Sequence, residues 1–295
     1  MNEDAGTTGF NTLKISYSAR ANAMGLAQTG MAINPDAMQF NPAALLNLPQ
    51  KAFSTTYMNY FLDANGGNVQ VLLPRDKYQA YGFYLNYLNM GSMDRTEISS
   101  TNELKETGET FGAQNIILGF STARWMNQYI DLGATAKIIY DQIDNESASA
   151  LLLDAGMIHH PANEKIKVGL SIRNLGKQIS YYTSENYHEK LPLVLAAGIA
   201  YTFNPKLLVT VELNKASGQD FSGRIGSEYK LDDSFDLRAG YKTNAEDWRT
   251  GGSWEWTSGI SLGAGWSWNK FQVDYSLSSY GDLGFVNQVS IARMF

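Results

Sequence analysis

His159, His160 and His188 are the only imidazoles in a chain that has no cysteine, so metal or nucleophilic chemistry would have to be built on them. His159 and His160 are adjacent within a segment of strand periodicity and therefore point to opposite faces. They cannot chelate one ion together. No Ser-His-Asp grouping and no phosphate loop accompanies them, so the expectation is a protein that is not an enzyme and carries no metal and no cofactor. Three other sets of polar residues could act by binding. Arg20 and Asp36 lie in an apolar stretch, where a buried arginine needs a carboxylate. Such a pair is either a latch opened by a docking partner or a static anchor. Asn41-Pro42-Ala43 has proline at the first position of a short helix, where free N–H groups could meet an acidic ligand head, or where the turn merely starts. Tyr181, Tyr182 and Tyr187, near His188, are a loop cluster that either faces a partner or belongs to an interfacial aromatic belt.

The elements that must position these residues fall into two regimes. Between Ser18 and Leu48 apolar residues recur at helical spacing. Ser18 is placed to cap a helix through Ala19, Ala21, Ala23 and Met24, while Pro35 and Pro42 follow Asn34 and Asn41 as starts of two further turns. Residues 1–50 therefore read as a polar leader and a helical hatch. From Ala52 the period becomes two, in about fourteen segments between residues 53 and 295. Ile130, Leu132, Ala134, Ala136, Ile138 and Tyr140 share one face of such a segment; Asp131, Gly133, Thr135, Lys137 and Asp141 share the other. Phe271, Val273, Tyr275 and Leu277 likewise oppose Gln272, Asp274 and Ser276.

Composition limits what this pattern can be. Seventeen Tyr, thirteen Phe, six Trp and 27 Gly with only 18% charged residues favour strands and turns. A net charge of -6 without a basic run excludes nucleic acid as a partner. No apolar run is long enough for a transmembrane helix, but a barrel strand needs only about 9–11 residues with one apolar face. Tight joins at 75–77, 127, 163, 204–205, 232–233 and 269–270 alternate with longer ones at 91–110, 176–192 and 244–255. That alternation is expected of an even-stranded outer-membrane barrel, here residues 51–295, in contact with outer-membrane lipid. Trp256, Trp266 and Trp268 share one parity around Ile260, Leu262 and Ala264, as in a strand crossing both interfaces. The missing n-region and h-region fit a signal peptide already removed. Glu212 and Glu228, with Asp131, Asp141 and Asp274, lie on the lumen parity and are the candidate partners of Arg20.

The segments Gly6-Thr7-Thr8-Gly9-Phe10, Ser18-Ala19-Arg20-Ala21, Ala23-Met24-Gly25 and Phe40-Asn41-Pro42-Ala43 resemble the start of mature PorV/PorQ family proteins. Asn174-Leu175-Gly176, Leu191-Pro192-Leu193 and Arg238-Ala239-Gly240-Tyr241 continue the resemblance in order, and the Asn-Pro-Ala also resembles the hatch motif of FadL-type fatty-acid channels. The resemblance implies a fourteen-stranded barrel with a luminal hatch. It further implies an accessory role in type IX secretion, with the translocon, attachment-complex proteins or cargo C-terminal domains as partners at the cell surface. The alternative it implies is a FadL-like passive channel for fatty acids or other hydrophobic molecules, which would need a continuous apolar path and a lateral opening.

Overall fold

The computed structural model describes residues 7–31, 35–61, 64–98, 103–183, 188–244 and 251–295. Fourteen antiparallel strands pair each with the next, and the first pairs with the last, closing a barrel. In chain order they are β1 (Ala52–Asn59), β2 (Asn65–Asp76), β3 (Gln79–Ile98), β4 (Leu104–Asn127), β5 (Ile130–Ile143), β6 (Glu146–His159) and β7 (Ile166–Ser180). The second half comprises β8 (Val194–Asn204), β9 (Leu207–Ala216), β10 (Phe221–Lys230), β11 (Phe235–Lys242), β12 (Ile260–Trp268), β13 (Phe271–Ser279) and β14 (Phe285–Met294). Within the closed ring each strand pairs on both sides, so backbone groups there find partners without water, which a hydrocarbon environment requires, while the outer ends of β3, β4 and β7 run past the neighbour on one side.

Period-two patterning decides which face is which. Val69, Phe83, Leu85, Leu118, Phe120 and Ile138 project outward and are exposed, whereas Gln70, Asn86, Ser121, Thr135 and Lys137 are buried in the lumen. The arrangement is inverted relative to a soluble sandwich, because lipid replaces water outside. Around the end bearing the turns at 77–78, 128–129, 205–206 and 269–270, exposed rings form a girdle. Tyr78 packs on Trp125 at 5.2 Å, Tyr201 on Phe203 at 4.5 Å, and Trp266 stacks on Trp268 at 6.4 Å. This end is periplasmic, and the end with the connections 181–193 and 243–259 faces outward.

Three expectations need correction. The segment 91–110 is not simply a loop: β3 and β4 run on as a hairpin of 20 and 24 residues, paired as far as Ile98 and Leu104. Register shifts after Asn89 and Asp94 broke the simple alternation there and hid the strands. Trp256 is not on β12 either; it sits in a 3-10 turn, Glu255–Thr257, in the outward connection, with Gly259 at φ 86 turning the chain into the strand. The connection 176–192 is also shorter than its spacing suggests, because β7 continues to Ser180.

Inside the barrel lies the hatch. Thr8 and Gly9 contact Lys190 of the outward connection, Gly9 N–H donating to the Lys190 carbonyl at 3.0 Å. The chain then descends through a 3-10 turn (Asn11–Lys14), α1 (Ala19–Ala23) and two more 3-10 turns (Pro35–Gln39 and Pro42–Asn47) before entering β1 from the periplasmic end. Ser18 caps α1 by accepting from Ala21 N–H at 3.1 Å. All five residues of α1 are buried.

Candidate functional site

The interior can be read as three levels on the two strands β10 and β11, whose luminal residues face each other in register: Arg224 opposite Lys242, Gly226 opposite Gly240, and Glu228 opposite Arg238. At the middle level the glycines let the hatch backbone rest on the wall. Gly25, at φ 60, lies against Gly240, and a Cβ on either would overlap the opposing backbone. A side chain at either position would lift the hatch off the sheet.

Below this level sits the latch. Arg20 donates from Nε and one Nη to both oxygens of Glu228, at 2.9 and 3.0 Å. Glu228 also accepts from Arg238 Nε at 2.6 Å, and Arg238 reaches Asp274 at 2.7 Å and Asp236 at 3.2 Å. Of the five candidate carboxylates, Glu228 is the partner of Arg20, in the forked geometry that suits guanidinium. Among the described residues Asp36 makes no hydrogen bond to the wall. It accepts from the Ser18 hydroxyl and so ties one hatch turn to the cap of α1. Burial pushes its carboxyl above the ordinary 3.8, opposed by the Ser18 hydrogen bond.

Asn41 is fully buried. Its amide donates to the carbonyls of Thr29 at 2.8 Å and of Met157 on β6 at 3.0 Å, while its Oδ1 caps Ala43 N–H at 3.2 Å. The N–H groups that the sequence offered to an acidic ligand are therefore occupied by the motif itself, because Ala44 N–H donates to the Asn41 carbonyl as well. Pro42 and Ala43 lie on Gly133, and Asn41 on Gly156, where a Cβ would collide. The motif is a staple between hatch and wall.

The tyrosine loop also turns out differently. Tyr182 packs inward, its ring 6.1 Å from that of Phe10, and its hydroxyl bonds to Asp141. It holds the leader down and is partly buried. Tyr181 is half-buried against His188 at 4.8 Å, and Tyr187 lies outside the described residues. His160 bonds to Asp131 at 2.7 Å while His159 faces the Tyr129 carbonyl at 3.0 Å, so the two imidazoles have separate partners.

Glu212, a candidate partner of Arg20 by parity, instead accepts from the backbone N–H groups of Gln28 and Thr29, both at 2.9 Å. Other anchors were not singled out from sequence: Gln288 accepts from Asn22 at 3.0 Å. Lys137 is buried against Asp154 at 2.7 Å, where β7 carries an extra residue opposite β6. Lumen parity marked these positions as polar, but which of them meets the hatch depends on its path. At the outer end a cavity of about 390 Å³ lies between the hatch and the mouth.

Comparison with known proteins bears on this geometry. Residues 73–281 match the family described as type IX secretion system membrane protein PorP/SprF. Comparison with curated protein sequences gives no significant match. Among solved structures, the toluene transporter TbuX of Ralstonia pickettii is similar at 13% identity, with 95% of this chain and 98% of that one covered and a TM-score of 0.68. The toluene transporter TodX of Pseudomonas putida gives 12%, 94%, 96% and 0.67. A FadL homologue of Pseudomonas aeruginosa gives 12%, 95%, 98% and 0.63. At these identities the likeness is one of fold, that of an outer-membrane FadL-like barrel. The family matched is PorP/SprF, where the motifs suggested PorV/PorQ; the type IX secretion assignment and the FadL-like barrel stand.

Proposed function

Because the chain belongs to the PorP/SprF family of type IX secretion system membrane proteins, we propose that it acts as an outer-membrane accessory barrel of that system and works through its outward surface. In this role it engages exported cargo, or the translocon and attachment-complex proteins, in the PorV/PorQ-like manner, with no catalytic step. The observation that carries it is the seating of the hatch. Glycine-backed contacts, the Asn41 staple and the Arg20–Glu228 pair hold it across the middle of the lumen, in a wall whose strand ladder is closed. A barrel occupied in this way is suited to binding and not to conduction. Partner contact then falls to the outward rim, where Ile98 and Leu104 at the end of the β3–β4 hairpin are 71% and 78% exposed, and Trp254 and Trp256 are exposed in the outward connection between β11 and β12.

The reading is tested by charge substitution on that rim. Ile98→Asp with Leu104→Asp, and separately Trp254→Ala with Trp256→Ala, are expected to leave a folded barrel in the outer membrane while reducing surface display of exported proteins. Unchanged display in both pairs would overturn it. The channel alternative draws on the similar fold of the toluene transporters, and predicts instead that uptake of a hydrophobic solute depends on this protein.

A further inference from the structure

We infer that the lipid-facing wall over β2 to β6 holds one anionic phospholipid of the periplasmic leaflet, with its phosphate on Arg75 and Arg124 and an acyl chain in a groove closer to the bilayer centre. The groove, of about 610 Å³, is lined on the outward parity by Val71, Phe83, Leu118, Phe120, Ile138 and Leu151. Its hollow has a cause in the sequence. Ala136 stands opposite Phe120 in register and supplies only a methyl group, where Leu118, Ile138 and Leu151 supply branched chains and Phe83 and Phe120 supply rings 4.8 Å apart. The polar residues behind this floor belong to the lumen: Gln70 is buried, and Lys137 is paired with Asp154 at 2.7 Å. A barrel wall is otherwise convex, so a hollow edged by rings encloses an acyl chain on more sides and gains more dispersion contacts.

Two of the same strands carry arginines at headgroup level. Arg75 lies four residues beyond Val71, and Arg124 four beyond Phe120, both toward the periplasmic turns. At about 3.3 Å per residue and a strand tilt of about 40°, that is about 10 Å of membrane depth, which matches the reach from a phosphate to the upper part of its acyl chains. Gln79 joins the pair: it stands opposite Arg124 in register, and its Oε1 accepts from Arg75 Nη1 at 3.1 Å. Both arginines are exposed, and neither is ion-paired among the described residues.

The charge around them selects the headgroup. Lys77, 4.9 Å from the Tyr78 ring, adds a cation in the adjoining turn. Of the neighbouring carboxylates, Asp76 accepts from Tyr78 N–H at 2.7 Å, and Asp131 lies on the lumen parity, bonded to His160 at 2.7 Å. Guanidinium forks match phosphate oxygens, and a net anionic head is preferred because the ammonium of a zwitterionic head would lie among Arg75, Lys77 and Arg124. Arg293 on β14 shows the contrast. It lies over the rings of Phe271 and Phe295, at 5.3 and 4.7 Å, so aromatic side chains fill the surface that an acyl chain would need.

The test is native mass spectrometry of the full chain in a neutral detergent, titrated with phosphatidylglycerol and, separately, with phosphatidylcholine of the same acyl chains. The expected result is a dominant one-to-one complex, with phosphatidylglycerol bound at least fivefold more tightly. Arg75→Gln with Arg124→Gln should abolish that preference. Ala136→Phe, which fills the groove, should weaken both lipids at least fivefold, and Arg293→Gln should change neither. Variants are scored only if the unboiled sample retains folded gel mobility; should Ala136→Phe lose it, Leu151→Trp, which fills the groove from β6, is read instead. Equal binding of the two lipids by the wild type, a preference that survives in the double arginine variant, binding unchanged in the groove variant, or a second copy of the chain in place of the lipid would each overturn the proposal.

Discussion

Replacing Arg20 with methionine keeps most of the side-chain volume and removes the one charged link between hatch and wall at the periplasmic level. Breaking a buried ion pair from one side costs about 3–5 kcal/mol, mostly because the stranded charge stays buried. Glu228 is not stranded completely, since Arg238 remains 2.6 Å away. A cost of about 2–3 kcal/mol is therefore expected, below the range for a fully stranded charge. Falling on the docking of the hatch and not on the barrel ladder, it raises the population of hatch-displaced barrels by roughly 30- to 140-fold, at about 1.4 kcal/mol per decade. The assay is planar-bilayer recording, in which displaced hatches register as open events, with folded gel mobility as the check on the barrel. Glu228→Gln should raise the open events at least as much, because Arg20 then loses the carboxylate its guanidinium is forked on, while Arg238 keeps Asp274. The double variant should be less disruptive than the sum of the singles by about 1 kcal/mol or more. Open events unchanged in Arg20→Met, or strictly additive effects, would refute the latch reasoning.

Other consequences follow from the same contacts. Asn41→Ala removes hydrogen bonds to Thr29, Met157 and Ala43; a loss of about 2–3 kcal/mol is expected and is read as a lower temperature for loss of the folded gel band. Gly156→Ala inserts a methyl group where Asn41 rests and should cost about 1–3 kcal/mol by overpacking, again measured as thermal stability, while Gly251→Ala, which meets nothing, tests only its own φ of 86. Asp36→Asn should be neutral or stabilising at about pH 7. A carboxyl whose folded value is raised contributes stability below its unfolded value, and that contribution fades as pH climbs through the folded value. The wild type should therefore gain on the variant as pH is lowered towards 3.8. Midpoints of thermal unfolding across that range check this, and a variant markedly weaker at neutral pH would contradict it.

The barrel was legible because lipid on one side and a polar lumen on the other impose strict alternation, as in Ile130 to Tyr140 of β5, and because Ser18, Pro35 and Pro42 carry local signals that tertiary contacts do not override. Legibility failed where local rules were relaxed. The β3–β4 hairpin leaves the membrane beyond about Asn89, loses the lipid face that enforces alternation, and carries two register shifts. Trp256 has the parity of β12, yet the positive φ of Gly259 breaks the strand between them. The candidate site was half visible. Arg20 and a luminal carboxylate followed from burial and parity, but the choice of Glu228 depends on where α1 docks against β10 and β11. Tyr182 shows the limit of composition: three tyrosines on one connection suggest a surface, and only packing against Phe10 reveals that this one turns inward. The cavity at the outer end was invisible, since residues that line it, such as Lys14, Arg173 and Arg224, are scattered along the sequence and meet only when the barrel closes.

The central claim, that a barrel with a seated hatch serves type IX secretion through its outward surface, is met most directly by gentle extraction from the native outer membrane, affinity capture of this chain, and mass spectrometry of the proteins and lipids that accompany it. Translocon or attachment components, or secreted proteins sharing a C-terminal β-domain, are the predicted companions, lost on substitution of Ile98 and Leu104. A solitary barrel carrying fatty acids or other hydrophobic solutes would contradict the claim.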